Sequence, residues 1–225
     1  MKRLESNLTN MVLSLTVVAL AAAALLGGLY VVTAEPIAKQ KQEKQQAAII
    51  SVLPAVEGLT IGEPETLDGM TLYKAFAGET WEGTAVEVAE NGFGGTFKVM
   101  VGFDKEGNVV NYEVLEHQET PGLGDHMTSW FKTDKNRQSV IGKSPETTKF
   151  VVSKDGGDVD AITAATISSR AFLRAVEKAY AAYKSGEVQA VSGASILQQE
   201  APAAGSGTEA DTEGAEQQPI NDTQL

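Results

Sequence analysis

Cysteine is absent from the 225 residues. That excludes disulfides, cysteine-ligated zinc, iron–sulfur clusters and thiol nucleophiles. Histidine is nearly absent: His117 and His126 are the only two. They sit near Glu116, Glu119 and Asp125 but nine residues apart across a Pro-Gly stretch, unlike the i, i+4 spacing of HExxH, so the pattern argues against a metal site. No Ser-His-Asp order or GxSxG elbow suggests a hydrolase. No basic stripe appears, and a net charge of −12 disfavours nucleic acid as a partner. There are no internal repeats.

The charge is unevenly spread. From Gly186 to the C-terminus lie Glu187, Glu200, Glu209, Asp211, Glu213, Glu216 and Asp222, with no base and no aromatic residue. That composition predicts a disordered acidic tail over 186–225. The remainder is long enough for one domain with a core.

One long apolar run is present. Met11 to Thr33 carries no charge, and its twenty-three residues would make a helix of about 34 Å, enough to cross a hydrocarbon core. Val32-Thr33-Ala34 has the small residues of a signal-peptidase site, but the run exceeds the 7–15 residues of a cleaved signal, so an uncleaved anchor is expected. Residues 1–10 form a polar leader. Lys2 and Arg3 on one side nearly balance Lys39, Lys41 and Lys44, diluted by Glu35 and Glu43, on the other. Charge therefore leaves the orientation open.

Pro36 suits the first turn of a new helix, which predicts a separate membrane-proximal helix or linker over 35–56, ending before Pro54. Residues 57–69 read as loop. Residues 71–76 and 83–88 alternate as strands. Phe97, Val99, Val101 and Phe103 alternate with Lys98, Met100 and Gly102, and Val110, Tyr112 and Val114 return after the turn at 104–108, which predicts a β-hairpin. Trp130 opens a short helical piece, and 149–152 reads as a further strand. The expected class is α+β: a domain over 57–185 with an antiparallel sheet and flanking helices.

Two segments carry candidate chemistry. Residues 119–124, Glu-Thr-Pro-Gly-Leu-Gly, form a loop whose glycines allow close backbone approach to a flat ligand, or serve only as a rigid strand exit. Residues 160–170 are small and hydroxyl-rich, and lead into Ala171, Phe172, Ala175, Val176, Ala179, Tyr180 and Tyr183 at helical spacing, with Ser185-Gly186 as the expected stop. Thr166 is thus expected in the first helical turn, where free N–H groups favour a phosphate. The alternative is that Thr163, Thr166 and Ser168 compete for the N-cap. Gly94-Gly95 lacks a following GxGxxG or Walker lysine and reads as a hairpin turn.

Together, residues 119–124 and Asp160-Ala161-Ile162-Thr163-Ala164-Ala165-Thr166 resemble the two signatures of the FMN-binding domain family. Within it the chain most resembles the G subunits of Rnf-type electron transport complexes, with the C subunits of sodium-translocating NADH:quinone reductases as a sister family. The first motif matches letter for letter. In the second, the usual Ser-Gly-Ala-Thr is replaced by Thr163-Ala164-Ala165-Thr166, and Ala164 carries a methyl group where the family has glycine.

The resemblance implies covalent FMN in a phosphoester bond to Thr166, installed by a flavin transferase. Asp160, Thr163, Ala164 and Ala165 would form the recognition stretch, and Glu119, Thr120, Gly122, Leu123 and Gly124 would lie against the flavin. It also implies an inner-membrane redox protein with a cytoplasmic N-terminus and an extracytoplasmic domain. Such a protein relays electrons beside membrane and iron–sulfur subunits and is not catalytic alone. Two alternatives stand beside this: a C subunit of a sodium-translocating NADH:quinone reductase, disfavoured by the compact length between anchor and site, and a cofactor-free membrane-tethered binding or scaffold module, with Thr166 as a cap only.

Overall fold

In a computed structural model, which describes residues 7–197, the chain opens with one continuous helix. This helix, α1 (Leu8–Val52), is 45 residues long, which corresponds to about 68 Å. From Leu8 to Val32 its large apolar side chains are exposed, and this is the one helix among the described residues long and apolar enough to cross a membrane. Thr16 and Thr33 return their hydroxyls to the carbonyls of Val12 and Leu29 at 2.9 and 2.8 Å, so neither leaves a side-chain donor unpaired in the apolar stretch.

Pro36 lies inside α1, so the separate membrane-proximal helix expected over 35–56 is the last part of this one. A proline lacks only its own amide, and a helix can pass through one. α1 stops at Val52, with Leu53 extended ahead of Pro54, since the residue before a proline avoids the helical region.

The domain is built on a six-stranded antiparallel sheet. Its strands are β1 (Leu59–Ile61), β2 (Glu65–Leu67), β3 (Met70–Ala77), β4 (Thr80–Asn91), β5 (Thr96–Asp104) and β6 (Val109–Glu116). The order is β1-β3-β4-β5-β6, with β2 also pairing with β3. The hairpin expected from the alternation is β5–β6. Its turn is held by Asp104, whose Oδ1 accepts from the Glu106 and Asn108 amides at 3.0 and 2.8 Å. Residues 57–69, expected as loop, contain β1 and β2. These are three residues each and mostly exposed, so they carry too short a pattern to alternate visibly.

Both sheet faces are covered. On one, Phe97, Val99, Val101 and Phe103 pack against α2 (Thr166–Leu197). Every residue of the run from Ala171 to Tyr183 named above is buried there. Phe172 stacks flat on Phe131 at 4.4 Å between centroids and meets Tyr112 edge-on at 4.7 Å. The Tyr112 hydroxyl donates to the Met127 carbonyl at 2.6 Å, and burial raises its pKa.

On the other face, Ala48, Ile49, Val52 and Leu53 pack against Ala75, Ala85, Met100 and Leu115. The small residues bring α1 so near that a Cβ on Gly102 would lie 1.9 Å from the Val52 carbonyl oxygen. Gln45 Nε2 donates to Glu87 Oε2 at 2.6 Å and to the Tyr73 hydroxyl at 3.1 Å, and Lys44 donates to the Leu115 carbonyl. The helix carrying the apolar span is therefore also part of the domain's core.

Two further expectations are corrected. α2 passes through Ser185-Gly186 and reaches Leu197. Gly186 serves close packing: a Cβ there would come within 2.8 Å of Leu72 Cδ2. Residues 149–152 form no strand. They contribute one isolated bridge, Val152 to Val159, because carbonyls among them are taken locally by the amides of 157–159. The first six residues of the leader, and the acidic tail beyond residue 197, lie outside the described residues.

Candidate functional site

The segments 119–124 and 160–166 are far apart in sequence, and the fold brings them to one cleft. The first leaves the end of β6. The second leads into α2, which packs across the sheet that β6 belongs to. Each contains a four-residue turn of the same kind. In Thr120–Leu123 the Leu123 amide donates to the Thr120 carbonyl at 3.1 Å, and Gly122 has φ +79°. In Ile162–Ala165 the Ala165 amide donates to the Ile162 carbonyl at 3.1 Å, and Ala164 has φ +61°. Positive φ at the third position is what a type II turn requires, and glycine is its usual occupant. Ala164 therefore holds a left-handed conformation that costs an L-residue about 1–2 kcal/mol.

The cleft measures about 370 Å³, within the range of small-molecule sites. Glu119, Thr120, Leu123 and Gly124 line it from the first segment, and Ala164, Ala165 and Thr166 from the second. Asp160, Thr163 and Gly122 do not line it. The Asp160 carboxylate accepts from the Arg137 guanidinium at 3.2 Å, and its carbonyl accepts from the Trp130 indole at 3.0 Å. Its pKa is lowered, first by the Ser153 hydroxyl and then by Arg137. Asp160 thus pins the start of the segment to its surroundings.

Glu119 is 5% exposed, and both of its carboxylate oxygens are engaged. Oε1 accepts from the Phe93 amide at 2.8 Å, and Oε2 accepts from the Ser168 hydroxyl at 2.8 Å. One side chain therefore joins the β4–β5 turn, the loop after β6 and the first turn of α2. The glycines around it leave room for this. A Cβ on Gly92 would lie 1.9 Å from Glu119 Oε1, and one on Gly124 would lie 2.3 Å from Oε2 and 2.7 Å from Ser168 Oγ.

The hydroxyls of the second segment now separate. Ser169 Oγ accepts from the Ile162 amide at 2.9 Å and donates to the Ala165 carbonyl at 2.9 Å. Ser168 is committed to Glu119, and Thr163 is exposed away from the lining. Ala165, whose carbonyl accepts the Ser169 amide at 3.0 Å, occupies the position that Thr163, Thr166 and Ser168 were expected to contest. Thr166 follows as the first helical residue, half-buried and lining the cleft, with no side-chain hydrogen bond among the described residues. The rim is apolar: Phe93 is 69% exposed, Ile167 53% and Leu123 39%. Exposed apolar side chains from three segments around one cleft suit a flat apolar ligand.

Phe93, Lys154 and Ile167 also line the cleft and carried no site expectation from the sequence, while Ser168, expected only as a capping candidate, lines it too. Phe93 had one legible sign, an aromatic residue at a glycine-rich hairpin tip. Among the described residues, no cluster of His, Cys, Asp and Glu could hold a metal.

This arrangement, an α+β domain with a hydroxyl-bearing cleft and a long apolar helix, defines the class, and comparison names it. Residues 92–181 match the model of the FMN-binding domain, and residues 1–52, which end where α1 ends, match the RnfG N-terminal region. The chain is similar to the G subunit of the ion-translocating oxidoreductase complex of Aliivibrio fischeri strain MJ11, at 33% identity over 76% of this chain and 88% of that one. It is 33% identical to the corresponding protein of Vibrio parahaemolyticus, covering 73% and 83%, and 40% identical to that of Shewanella oneidensis over 51% and 55%. The chain belongs to the RnfG family, the G subunits of ion-translocating oxidoreductase complexes.

Proposed function

We propose that this chain is a membrane-anchored flavoprotein carrying FMN on Thr166 through a phosphoester bond, and that it relays electrons within an ion-translocating oxidoreductase complex. The observation that carries the attachment residue is the inventory of hydroxyls. Of the second segment's hydroxyls, Thr163, Thr166, Ser168 and Ser169, Thr166 alone both lines the cleft and has no hydrogen-bond partner among the described residues. A separate flavin transferase would supply the group from a flavin dinucleotide: the Thr166 oxygen bonds to the phosphorus on the flavin side, the phosphoanhydride bond breaks, and a nucleoside monophosphate leaves with the hydroxyl proton, so that the chain gains the mass of FMN less one water.

The residues present fit this group. The start of α2 offers free amides to a phosphate ester, and Phe93, Leu123 and Ile167 offer apolar surface to a ring. FMN supplies one- and two-electron chemistry. The protein's contribution is to fix the attachment point, hold Thr166 and the rim in one frame through Glu119, and leave an open edge for exchange.

Membrane anchoring follows from the exposed apolar span of α1 and raises the effective concentration of the domain near membrane and iron–sulfur partner subunits. In this reading the domain lies outside the cytoplasm, with the N-terminus inside. A covalent bond suits a compartment without a free flavin pool.

The test is flavin fluorescence on a denaturing gel after expression with a flavin transferase. The wild-type band should be fluorescent, and Thr166→Ala should lose the fluorescence while remaining folded. A fluorescent Thr166→Ala band contradicts the site. No fluorescent band from native membranes favours the cofactor-free scaffold.

A further inference from the structure

We infer that Lys154 is the cation that holds the phosphate of the flavin in this cleft, a role that rests on the Thr166 reading above. Lys154 is the only Lys or Arg side chain lining the cleft among the described residues. It is exposed and makes no ion pair or hydrogen bond there, although Asp155 is its neighbour in sequence.

Asp155 is spent elsewhere. It takes the Arg170 guanidinium in a two-pronged pair, Nε to Oδ2 at 2.6 Å and Nη2 to Oδ1 at 2.8 Å. That bidentate geometry commits both Asp155 oxygens to Arg170, and the Lys154 charge acts on Asp155 only as a weaker influence than Arg170.

The same pair sets the position of Lys154. Arg170 stands four residues after Thr166 on α2, so the two share a helix face. By gripping Asp155, Arg170 fastens the 3-10 turn Ser153–Asp155 alongside the first turn of α2. The turn is closed by the Gly156 amide donating to the Ser153 carbonyl at 3.1 Å, with Gly156 at φ +79°. Lys154 is thereby carried on a short, tied element next to Thr166, not on a loose loop.

The local charge calls for a cation. The buried Glu119 carboxylate lines the same cleft, and among the described residues it is engaged by neutral groups, the Phe93 N–H and the Ser168 O–H. A phosphate ester brought to Thr166 adds negative charge to this cleft. Helix amides offset part of it, and a free ammonium at the rim offsets more.

The test separates phosphate from ring. In the full-length Thr166→Ala chain, which cannot form the ester, free FMN and riboflavin are titrated by flavin fluorescence. FMN should bind about five-fold or more tightly than riboflavin, the gain expected of one charge-assisted contact. Lys154→Gln should remove most of that preference and leave riboflavin binding unchanged. Lys154→Arg should keep it, and added salt should weaken it.

An FMN-to-riboflavin ratio that Lys154→Gln does not alter overturns the inference. Where neither flavin binds the Thr166→Ala chain measurably, the rate of flavin attachment to Thr166 decides. It should fall about five-fold with Lys154→Gln and recover with Lys154→Arg, and equal rates overturn the inference. A wild-type chain that never acquires flavin removes the Thr166 reading and this inference together. A wild-type chain labelled no faster than Lys154→Gln removes only the inference.

Discussion

The two turns at the cleft have the same backbone geometry and opposite construction. Thr120–Leu123 places Pro121 and Gly122 at its centre, the residues that a positive-φ turn favours, and nothing lies within 4 Å of where a Gly122 Cβ would be. Ile162–Ala165 places Thr163 and Ala164 there, and Ala164 adopts φ +61° despite its methyl group. The first turn is relaxed, and its neighbour Glu119 is bound on both oxygens. The second is strained, and it leads directly to Thr166, whose hydroxyl has no hydrogen-bond partner among the described residues. Surrounding bonds, chiefly Ser169 Oγ at the Ile162 amide and the Arg137 grip on Asp160, hold the second turn in place where local preference does not.

The contrast has its largest consequence in the chemistry. Thr166→Ala is expected to abolish flavin attachment outright with little change in the melting of the flavin-free chain, since no hydrogen bond among the described residues depends on that hydroxyl.

The next largest effect lies beside the first turn. Gly124→Ala is expected to cost about 2–3 kcal/mol, because its Cβ meets Glu119 and Ser168 inside a packed wall. Gly122→Ala, strained but in open space, is expected to cost about 1 kcal/mol. Urea titration of both variants would order them. Equal costs would mean that the Glu119 clamp contributes nothing to the packing at residue 124.

Ala164→Gly probes the strained turn directly. It relieves the left-handed alanine and should stabilise the domain by about 1 kcal/mol, read as a shift in the denaturation midpoint with an unchanged slope.

The smallest effect is acid sensitivity at Asp160. Its folded pKa is lowered by Ser153 and Arg137, so the unfolded chain binds the proton more readily. Its contribution to stability is present above the unfolded pKa of about 3.9 and is lost as pH falls through the folded value. Asp160→Asn should flatten that part of the acid limb, which thermal melts between neutral pH and about pH 3 would show.

Much of this was legible in the chain. The β5–β6 hairpin and the buried face of α2 repeat at the periods of strand and helix, and both motifs stand in continuous sequence. What escaped was set by tertiary contact. Gly186 reads as a helix stop but lies against Leu72, and Pro36 reads as a helix start but sits inside α1. β1 and β2 are too short to show a period. In the site, Glu119 was expected against the flavin. It lines the cleft, but its oxygens turn to Phe93 and Ser168, residues whose roles depend on segments that meet only in the fold. Lys154 had no sequence signal, because its place beside Thr166 depends on Arg170 gripping Asp155 across the fold.

The most direct measurement is the intact mass of the protein isolated from native membranes, followed by peptide mapping. Flavin carried on Thr166 predicts an added mass equal to FMN less one water, located on the peptide containing Thr166 and missing from Thr166→Ala. An unmodified mass, or the same addition on a peptide that excludes Thr166, would contradict it.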